Sequence, residues 1–362
     1  MLATMNVLVM GGTQFNGLAL VRELSRHGHT VTILNRGRTE AELPLGVKRL
    51  IADRTDDGSV KAALQGLEFD CIFDVTAYRV EDVALMVDLF EGMTGHYVFI
   101  GSTVIYAESD LLPITEDFPV DRSEKQSEYG LNKLICEDFL IRRQRETGFP
   151  ATIVSLSMVF GPRNILPDRE QRMFQRLLSG RPILIPGDGR RLGQVGHVDD
   201  QAKALRLAMG NPHTFGKRYN LTGKDYFTAE GYVDTCARAV DVTPNKVFVA
   251  AELMDDLWDG RASIGTMKSQ AKVDTRITQR PDEVARTRGQ LSFLVQHTAP
   301  TVNRWNRSVV YSVERLRRDV GWEPEFTFPA AVEHTFRWFC QQGLDKTASF
   351  DFAFEDELLK MV

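Results

Sequence analysis

Short apolar runs and amphipathic stretches alternate through the first half of the chain. Val7-Leu8-Val9-Met10 is a continuous apolar run, the pattern of a strand buried on both faces, and predicts a strand over 6–10. Leu18, Leu20, Val21 and Leu24 then mark the apolar side of an amphipathic helix. Further strands are predicted over 30–34, 48–51, 70–75, 96–100 and 151–156, with helices over 83–90 and from the segment that carries Leu131, Leu134, Ile135, Phe139 and Leu140. Strands that alternate with helices argue an α/β fold, a Rossmann-type doubly wound parallel sheet.

The second half is less regular. Helix is predicted over 174–178, through Ala204 and Leu207, over 311–320 and over 329–339, and a strand and turn over 183–189. Residues 245–300 fit no single period and read as an insertion or lid near the substrate. The expected division is a dinucleotide-binding core over 1–160 and a smaller C-terminal α/β substrate-binding lobe over 161–362, with the two interleaved near 195–225. The tail over 345–362, rich in Phe and acidic residues, is expected to pack on a partner subunit.

Composition narrows the class. The 362 residues are 43% hydrophobic and 26% charged, as in a soluble globular protein with a sizeable core. A net charge of -5 argues against nucleic-acid binding through a broad basic face. Cys71, Cys136, Cys236 and Cys340 form no C-x-x-C pair and read as free thiols of a reducing compartment. Val7 to Met10 is too short for a signal-peptide core and no run approaches a membrane span, so a cytoplasmic protein is expected. No internal repeat or low-complexity tract is present.

Chemistry enters at the ends of the predicted strands. The first runs into Gly11-Gly12-Thr13-Gln14-Phe15-Asn16-Gly17 and then a helix, the context in which a glycine loop binds a dinucleotide. Gly11 allows the tight turn, Gly17 allows close helix packing, and the helix N-terminus offers free N–H groups to a pyrophosphate. Gln14 stands where a middle glycine is usual, so its side chain either crowds the pyrophosphate or contacts it. The second strand ends in Asn35-Arg36-Gly37-Arg38. It lacks the carboxylate that would bind the ribose of NAD, and its arginines are either solvated or accept the 2′-phosphate of NADP. The cofactor expected is NAD(P), with the balance toward NADP. Tyr129 and Lys133 lie four apart on one predicted helical face. A free phenol has a pKa of roughly 10, and a nearby cation favours the phenolate. The pair is therefore suited to move a proton while a cofactor takes the hydride. Ser102, just past a strand end, is within reach of a reacting oxygen, although a hydroxyl there also caps turns.

Taken together, the chain resembles the extended short-chain dehydrogenase/reductase family, the NAD-dependent epimerase/dehydratase group. The resemblance is carried by the 11–17 loop, Ser102 before Tyr106, Pro113-Ile114-Thr115-Glu116-Asp117, Tyr129 with Lys133, Phe160-Gly161-Pro162, His197-Val198-Asp199-Asp200 and Asp319-Val320-Gly321-Trp322-Glu323-Pro324. Within it, the chain is most similar to the branch of chloroplast stem-loop RNA-binding proteins and bacterial sugar-nucleotide epimerase-like relatives, and keeps Tyr129 and Lys133 where the plastid members do not. The resemblance implies that Ser102 binds the sugar oxygen and Tyr129 is the acid/base. Lys133 would lower the phenol's pKa and hold the nicotinamide ribose. Gly11, Thr13, Gln14, Phe15, Gly17, Asn35, Arg36, Asp53 and Thr76 would line the cofactor, with Asp53 near the adenine. The 4,6-dehydratases carry an Asp-Glu pair where this chain has Thr103-Val104, so 4,6-dehydration is disfavoured and epimerisation or simple redox fits better. Thr103, Arg163, Arg191 and Arg307 are the expected substrate contacts, the arginines as holders of a diphosphate. His197 is read as structural, and no metal site is expected. The resemblance implies a homodimer formed through helices, one of them carrying Tyr129. The leading expectation is a sugar-nucleotide epimerase; the alternatives are an NADP-dependent reductase of a specialised-metabolite ketone and a dinucleotide-binding RNA-associated protein.

Overall fold

In the computed structural model the described residues are 4–166, 169–264 and 305–362. Seven parallel strands form one sheet in the order β11-β6-β5-β4-β1-β2-β3. The members are β1 (Asn6–Met10), β2 (Thr30–Asn35), β3 (Lys48–Ile51), β4 (Cys71–Asp74), β5 (His96–Ser102), β6 (Ala151–Leu156) and β11 (Arg218–Leu221). The apolar run of β1 is explained by burial on both faces. Val7 and Val9 belong to a core beneath α1 (Phe15–Arg26), while Leu8 and Met10 belong to a second core with α2 (Asp57–Leu64), α3 (Val80–Phe90) and α4 (Glu128–Thr147). The direction of winding reverses between β1 and β4. In open α/β sheets a ligand lies beyond the strand ends at such a point.

The two short strands β7 (Val159–Phe160) and β10 (Gly196–His197) pair beside the sheet, and α6 (Val198–Ala208) packs along α1. The second lobe is built on β8 (Ile183–Pro186), paired in parallel with β13 (Lys246–Val249). Around this ladder sit α5 (Glu170–Leu178), α7 (Ala229–Val240), α8 (Ala251–Trp258) and α10 (Phe328–Gln341), with Met173, Tyr232, Val233, Met254, Leu257 and Val332 in one core. A short antiparallel pair, β9 (Leu192–Gly193) with β12 (Phe227–Thr228), borders it, and α9 (Glu314–Val320) packs against β11.

Two expectations change here. The first part of the stretch read as an insertion is structural: β13 extends the lobe's ladder, and Met254 and Leu257 of α8 are fully buried. Residues 265–300 of that stretch lie outside the described residues. The C-terminal tail, expected against a partner, instead docks on its own chain through α11 (Leu344–Thr347) and α12 (Ala353–Leu359). Glu355 is buried between Arg172, at 2.8 Å, and Arg176 of α5, and the Phe352 ring meets the guanidinium groups of Arg172 and Arg181 at 4.6 and 4.5 Å. The sequence pattern also held a helix that was not read. Tyr232, Val233, Cys236, Ala237 and Val240 recur at helical spacing behind the Thr228 cap, which accepts from Gly231 N–H.

Candidate functional site

The glycine loop closes the carboxyl end of β1. Gly11 and Gly12 have φ of +114° and +88°, in the region that favours glycine. A Cβ on Gly12 would lie 2.7 Å from Ile33 Cγ2, and one on Gly17 would lie 2.7 Å from the Gly12 nitrogen. Backbone therefore approaches backbone at this turn as a glycine fingerprint requires. Gln14 takes the capping position of α1 with extended backbone and no side-chain cap bond, and it is exposed. The first N–H groups of α1 are thus not consumed by a cap. Phe15 is buried at φ +35°, a strained conformation for an aromatic residue.

At the end of β2, Asn35 Oδ1 accepts from the Gly37 N–H at 2.9 Å and from Nε and Nη2 of Arg49 at 3.1 and 2.8 Å. Arg49 was not among the expected site residues; it arrives from the neighbouring strand, which no local pattern signals. Arg36 and Arg38 are exposed. Bonds from Thr55, and then the fields of Arg36 and Arg38, hold the Asp53 carboxyl below its ordinary pKa. Thr76 follows β4, and its methyl lies 3.0 Å from where a Gly11 Cβ would stand. Gly11, Asn35, Asp53 and Thr76 therefore border one crevice.

Across the crevice, Ser127 caps α4 by accepting from Gly130 N–H, which sets Tyr129 and Lys133 on the helix's inner side. The Tyr129 hydroxyl lies close enough to Ser102 for the serine hydroxyl to favour the phenolate. Lys133 is 2% exposed; its Nζ donates to the carbonyls of Ala77 at 2.8 Å and Ile100 at 2.7 Å. It lies 5.7 Å from the centroid of Tyr129, 5.0 Å from that of Tyr78 and 4.8 Å from that of Phe99. The expectation that Lys133 depresses the phenol is not met by the chain alone. Burial pushes Tyr129 up to about 12, with the neighbouring Tyr78 adding to it and the Ser102 hydroxyl opposing. Burial also lowers the Lys133 ammonium to about 8. Desolvation is the largest influence on both groups, because burial disfavours the charged phenolate and the charged ammonium alike.

The expected substrate residues divide. Thr103 is buried beside Ser102 and lies near Tyr311, whose phenol burial raises to about 12. Arg307 lies within electrostatic reach of that phenol and pairs with Glu108. Nε and Nη1 of Arg307 are buried and have no hydrogen-bond partner among the described residues. A hollow of about 230 Å³ opens there, lined by Glu108, Ser109, Asp110, Asn306 and Arg307. Arg163 and Arg191 are not gathered into this group. Arg163 is exposed at φ +66° and couples to Arg22 and Asp199 beside α1, and Arg191 is exposed on the second lobe. Arg169, at the start of α5, is instead the arginine within electrostatic reach of Tyr129, and burial lowers its pKa. Its position was not legible because the link between β7 and α5 has no periodic pattern.

His197, Asp199 and His334 present ligand atoms within 4.8 Å of one another. His197 Nδ1 accepts from the Asp199 N–H at 3.2 Å, so Nε2 carries the proton and donates to His334 Nδ1 at 3.0 Å. Both ring nitrogens are used, and the ring stacks on Phe326 at 3.7 Å. The cluster is a hydrogen-bonded joint between α6 and α10.

Comparison with known proteins agrees with this architecture. The profile of the NAD dependent epimerase/dehydratase family matches residues 7–222. The chain is 31% identical over 246 residues to the chloroplast stem-loop binding protein of 41 kDa b of Arabidopsis thaliana, covering 64% of this chain and 62% of that protein's length. It is 24% identical over 255 residues to 2′-dehydrokanamycin reductase of Streptomyces kanamyceticus, covering 69% and 70%. It is 26% identical over 266 residues to UDP-glucose 4-epimerase of Corynebacterium glutamicum, covering 64% and 79%. Among solved structures, an epimerase from Methanothermobacter thermautotrophicus is similar in fold with a TM-score of 0.69 at 18% identity, covering 95% of each chain. UDP-glucose 4-epimerase from Thermotoga maritima matches with a TM-score of 0.68 at 16% identity, covering 93% of this chain and 99% of that one.

Proposed function

The chain belongs to the NAD dependent epimerase/dehydratase family, and within it we propose an epimerase-type enzyme that acts on a sugar nucleotide by transient oxidation to a ketone and return of the hydride. The observation that carries this reading is Tyr129 close beside Ser102, with buried Lys133 beneath its ring, next to a glycine cradle that has no room for a side chain. The dinucleotide would be held by the backbone of Gly11, Gly12 and Thr13 with the N-terminus of α1, by Gln14 and Phe15, by Asn35 and Arg36, and by Asp53 and Thr76. When bound, the cofactor would supply hydride transfer and, in its oxidised form, a positive charge that adds to that of Arg169 near the phenol.

The chain's own residues do the rest. Ser102 binds the reacting oxygen and orients it toward Tyr129. In the oxidation Tyr129, as the phenolate, takes the proton of the sugar hydroxyl, and in the return step, as the phenol so formed, it gives that proton back to the ketone oxygen. Lys133 keeps one donor for the cofactor's ribose. Thr103 and Arg307 face the sugar and its diphosphate, and Arg307's unpartnered donors match a phosphate fork. Thr103-Val104 follow Ser102 in place of an Asp-Glu pair, with Thr103 near Tyr311, so these positions supply no acid to assist loss of a hydroxyl. The half-exposed Ile135 of α4 supports assembly into a homodimer through that helix.

A second reading, an NADP-dependent reductase of a ketone, is favoured by the arginines around Asn35 and by a phenol held in its donating form. The relative named 2′-dehydrokanamycin reductase adds weight. Tyr129→Phe tests the chemistry common to both. Turnover is expected to fall by roughly 10²–10⁴-fold, the usual worth of a general acid–base group, with unchanged melting and cofactor affinity. Activity near that of the parent would refute the mechanism. Net consumption of NADPH separates the reductase from a self-recycling epimerase.

A further inference from the structure

Lys133 is held by two carbonyls, so whatever fixes those carbonyls fixes the lysine. Ile100 lies within β5 and needs no further support. Ala77 lies in the connection between β4 and α3, where no strand ladder reaches it. Arg54, which follows Asp53 in the loop after β3, supports this connection at both ends. Its Nη1 and Nη2 meet the two oxygens of Asp74 at 2.5 Å each, and Nη1 also reaches Thr76 Oγ1 at 3.1 Å. At the other end, Nη2 donates to the Asp82 carbonyl at 3.0 Å, and Nε lies 3.2 Å from Asp82 Oδ1. Asp82 Oδ2 in turn accepts from the N–H groups of Tyr78 at 2.7 Å and Arg79 at 3.0 Å. Asp74 is fully buried and takes a further bond from the Tyr97 hydroxyl at 2.6 Å.

We propose that Arg54 and Asp74 are positioning residues for the cofactor-facing lysine: their buried pair fixes the turn whose Ala77 carbonyl holds the Lys133 ammonium. This rests on the reading of Lys133 as a cofactor-binding residue. A buried ion pair is a poor source of stability, because an apolar pair of similar volume serves as well. What the pair adds is geometry, since a two-pronged guanidinium fixes direction as well as distance. The pair also sets the electrical surroundings of Lys133. The charged and titratable groups that face the ammonium are Asp74 from β4, Arg54 from the β3 loop, Tyr78 from the supported turn, and Tyr129, Cys136 and Glu137 from α4. Asp74 favours the charged amine and Arg54 disfavours it, so removing either unbalances the site in opposite directions.

The full chain labelled with ¹³C,¹⁵N-lysine, with the Lys133 signal assigned by its loss in Lys133→Arg, reports the ammonium directly by NMR. The wild-type midpoint is expected near 8. Asp74→Asn should move it down and Arg54→Met up, each by on the order of one pH unit. Variants that fold and leave the midpoint unmoved, or move it in the same direction, overturn the proposal. Arg54→Lys provides a second arm for the case in which the neutral variants do not fold, because it keeps the charge and loses the fork. The midpoint should then stay in place while affinity for NADP⁺ and NAD⁺, measured by calorimetry, falls about tenfold; unchanged affinity overturns the proposal. Tyr129→Phe leaves both readouts intact, so activity that survives that substitution refutes the acid–base reading separately from this one.

Discussion

The two sides of the crevice treat charge differently. On the nucleotide side the charges are anchored within the chain: Lys133 by two carbonyls, Arg54 by Asp74 and Asp82, and Arg49 by Asn35 and the Thr39 carbonyl. On the substrate side the half-buried Arg307 keeps two buried nitrogens without partners and pairs, among the described residues, with Glu108, a largely exposed carboxylate. A group anchored from several directions holds a fixed surface for a ligand that recognises shape and backbone. A group with donors to spare is suited to an anion that arrives and leaves. The difference teaches that the cofactor half is prepared in advance, while the substrate half is completed by what binds.

The largest effect should come from breaking the prepared side. Gly12→Val introduces a Cβ 2.7 Å from Ile33 Cγ2 at φ +88°. Left-handed strain and overpacking together should cost about 2–5 kcal/mol of stability. The loop should also lose dinucleotide binding. Denaturant unfolding and calorimetry with NADP⁺ and NAD⁺ check both, and a stable variant with intact affinity would show that the cradle yields. The substitution should not alter the Arg307–Glu108 pair, which lies on the other side.

The same contrast decides what the sequence made legible. The glycine cradle, the β1 run and the Tyr129–Lys133 spacing are local patterns, and each appears where its spacing places it. So do Ser102 at the end of β5 and Asn35 at the end of β2, since a strand end is a position along the chain. The substrate side depends on residues far apart in sequence: Arg307 meets Glu108 across a separation of 199 residues, and Tyr311 meets Thr103. Which arginines come together is therefore decided by topology rather than by local spacing. Arg163 faces α1, and Arg169, which approaches Tyr129, carries no motif. The phenol's pKa was misjudged for a related reason. Spacing shows that a cation is near, but burial and the carbonyls that occupy it are properties of the folded site.

An intermediate effect is expected on the substrate side. A hydrogen bond to a charged group contributes about 1.5–3 kcal/mol, so Arg307→Ala should weaken binding of a nucleoside diphosphate by roughly ten- to a hundredfold. Glu108→Gln should act in the opposite direction, because it removes the carboxylate that competes for Arg307. Affinities measured across a panel of nucleoside diphosphates test the pair, with cofactor affinity as the control. If both substitutions weaken binding alike, Glu108 belongs to the binding surface and the contrast between the two sides is less sharp.

The smallest effect concerns Arg36 and Arg38, which depart from the pattern because they are exposed charges on the nucleotide side. An exposed arginine beside a ribose is useful only if an anion sits there, and the 2′-phosphate of NADP is such an anion. Arg36→Ala should therefore weaken NADP⁺ a few-fold, by about 1 kcal/mol or less for an exposed pair, and leave NAD⁺ unchanged. Asn35→Asp adds a carboxylate next to the phosphate position, although Arg49 stands ready to neutralise it. The double substitution should turn the ratio of the two affinities toward NAD⁺ by about tenfold, since repulsion is then added to the loss of attraction. Equal affinities in the parent protein, with no change in either variant, would mean that these arginines face only water and that the nucleotide side recognises the dinucleotide through its backbone cradle alone.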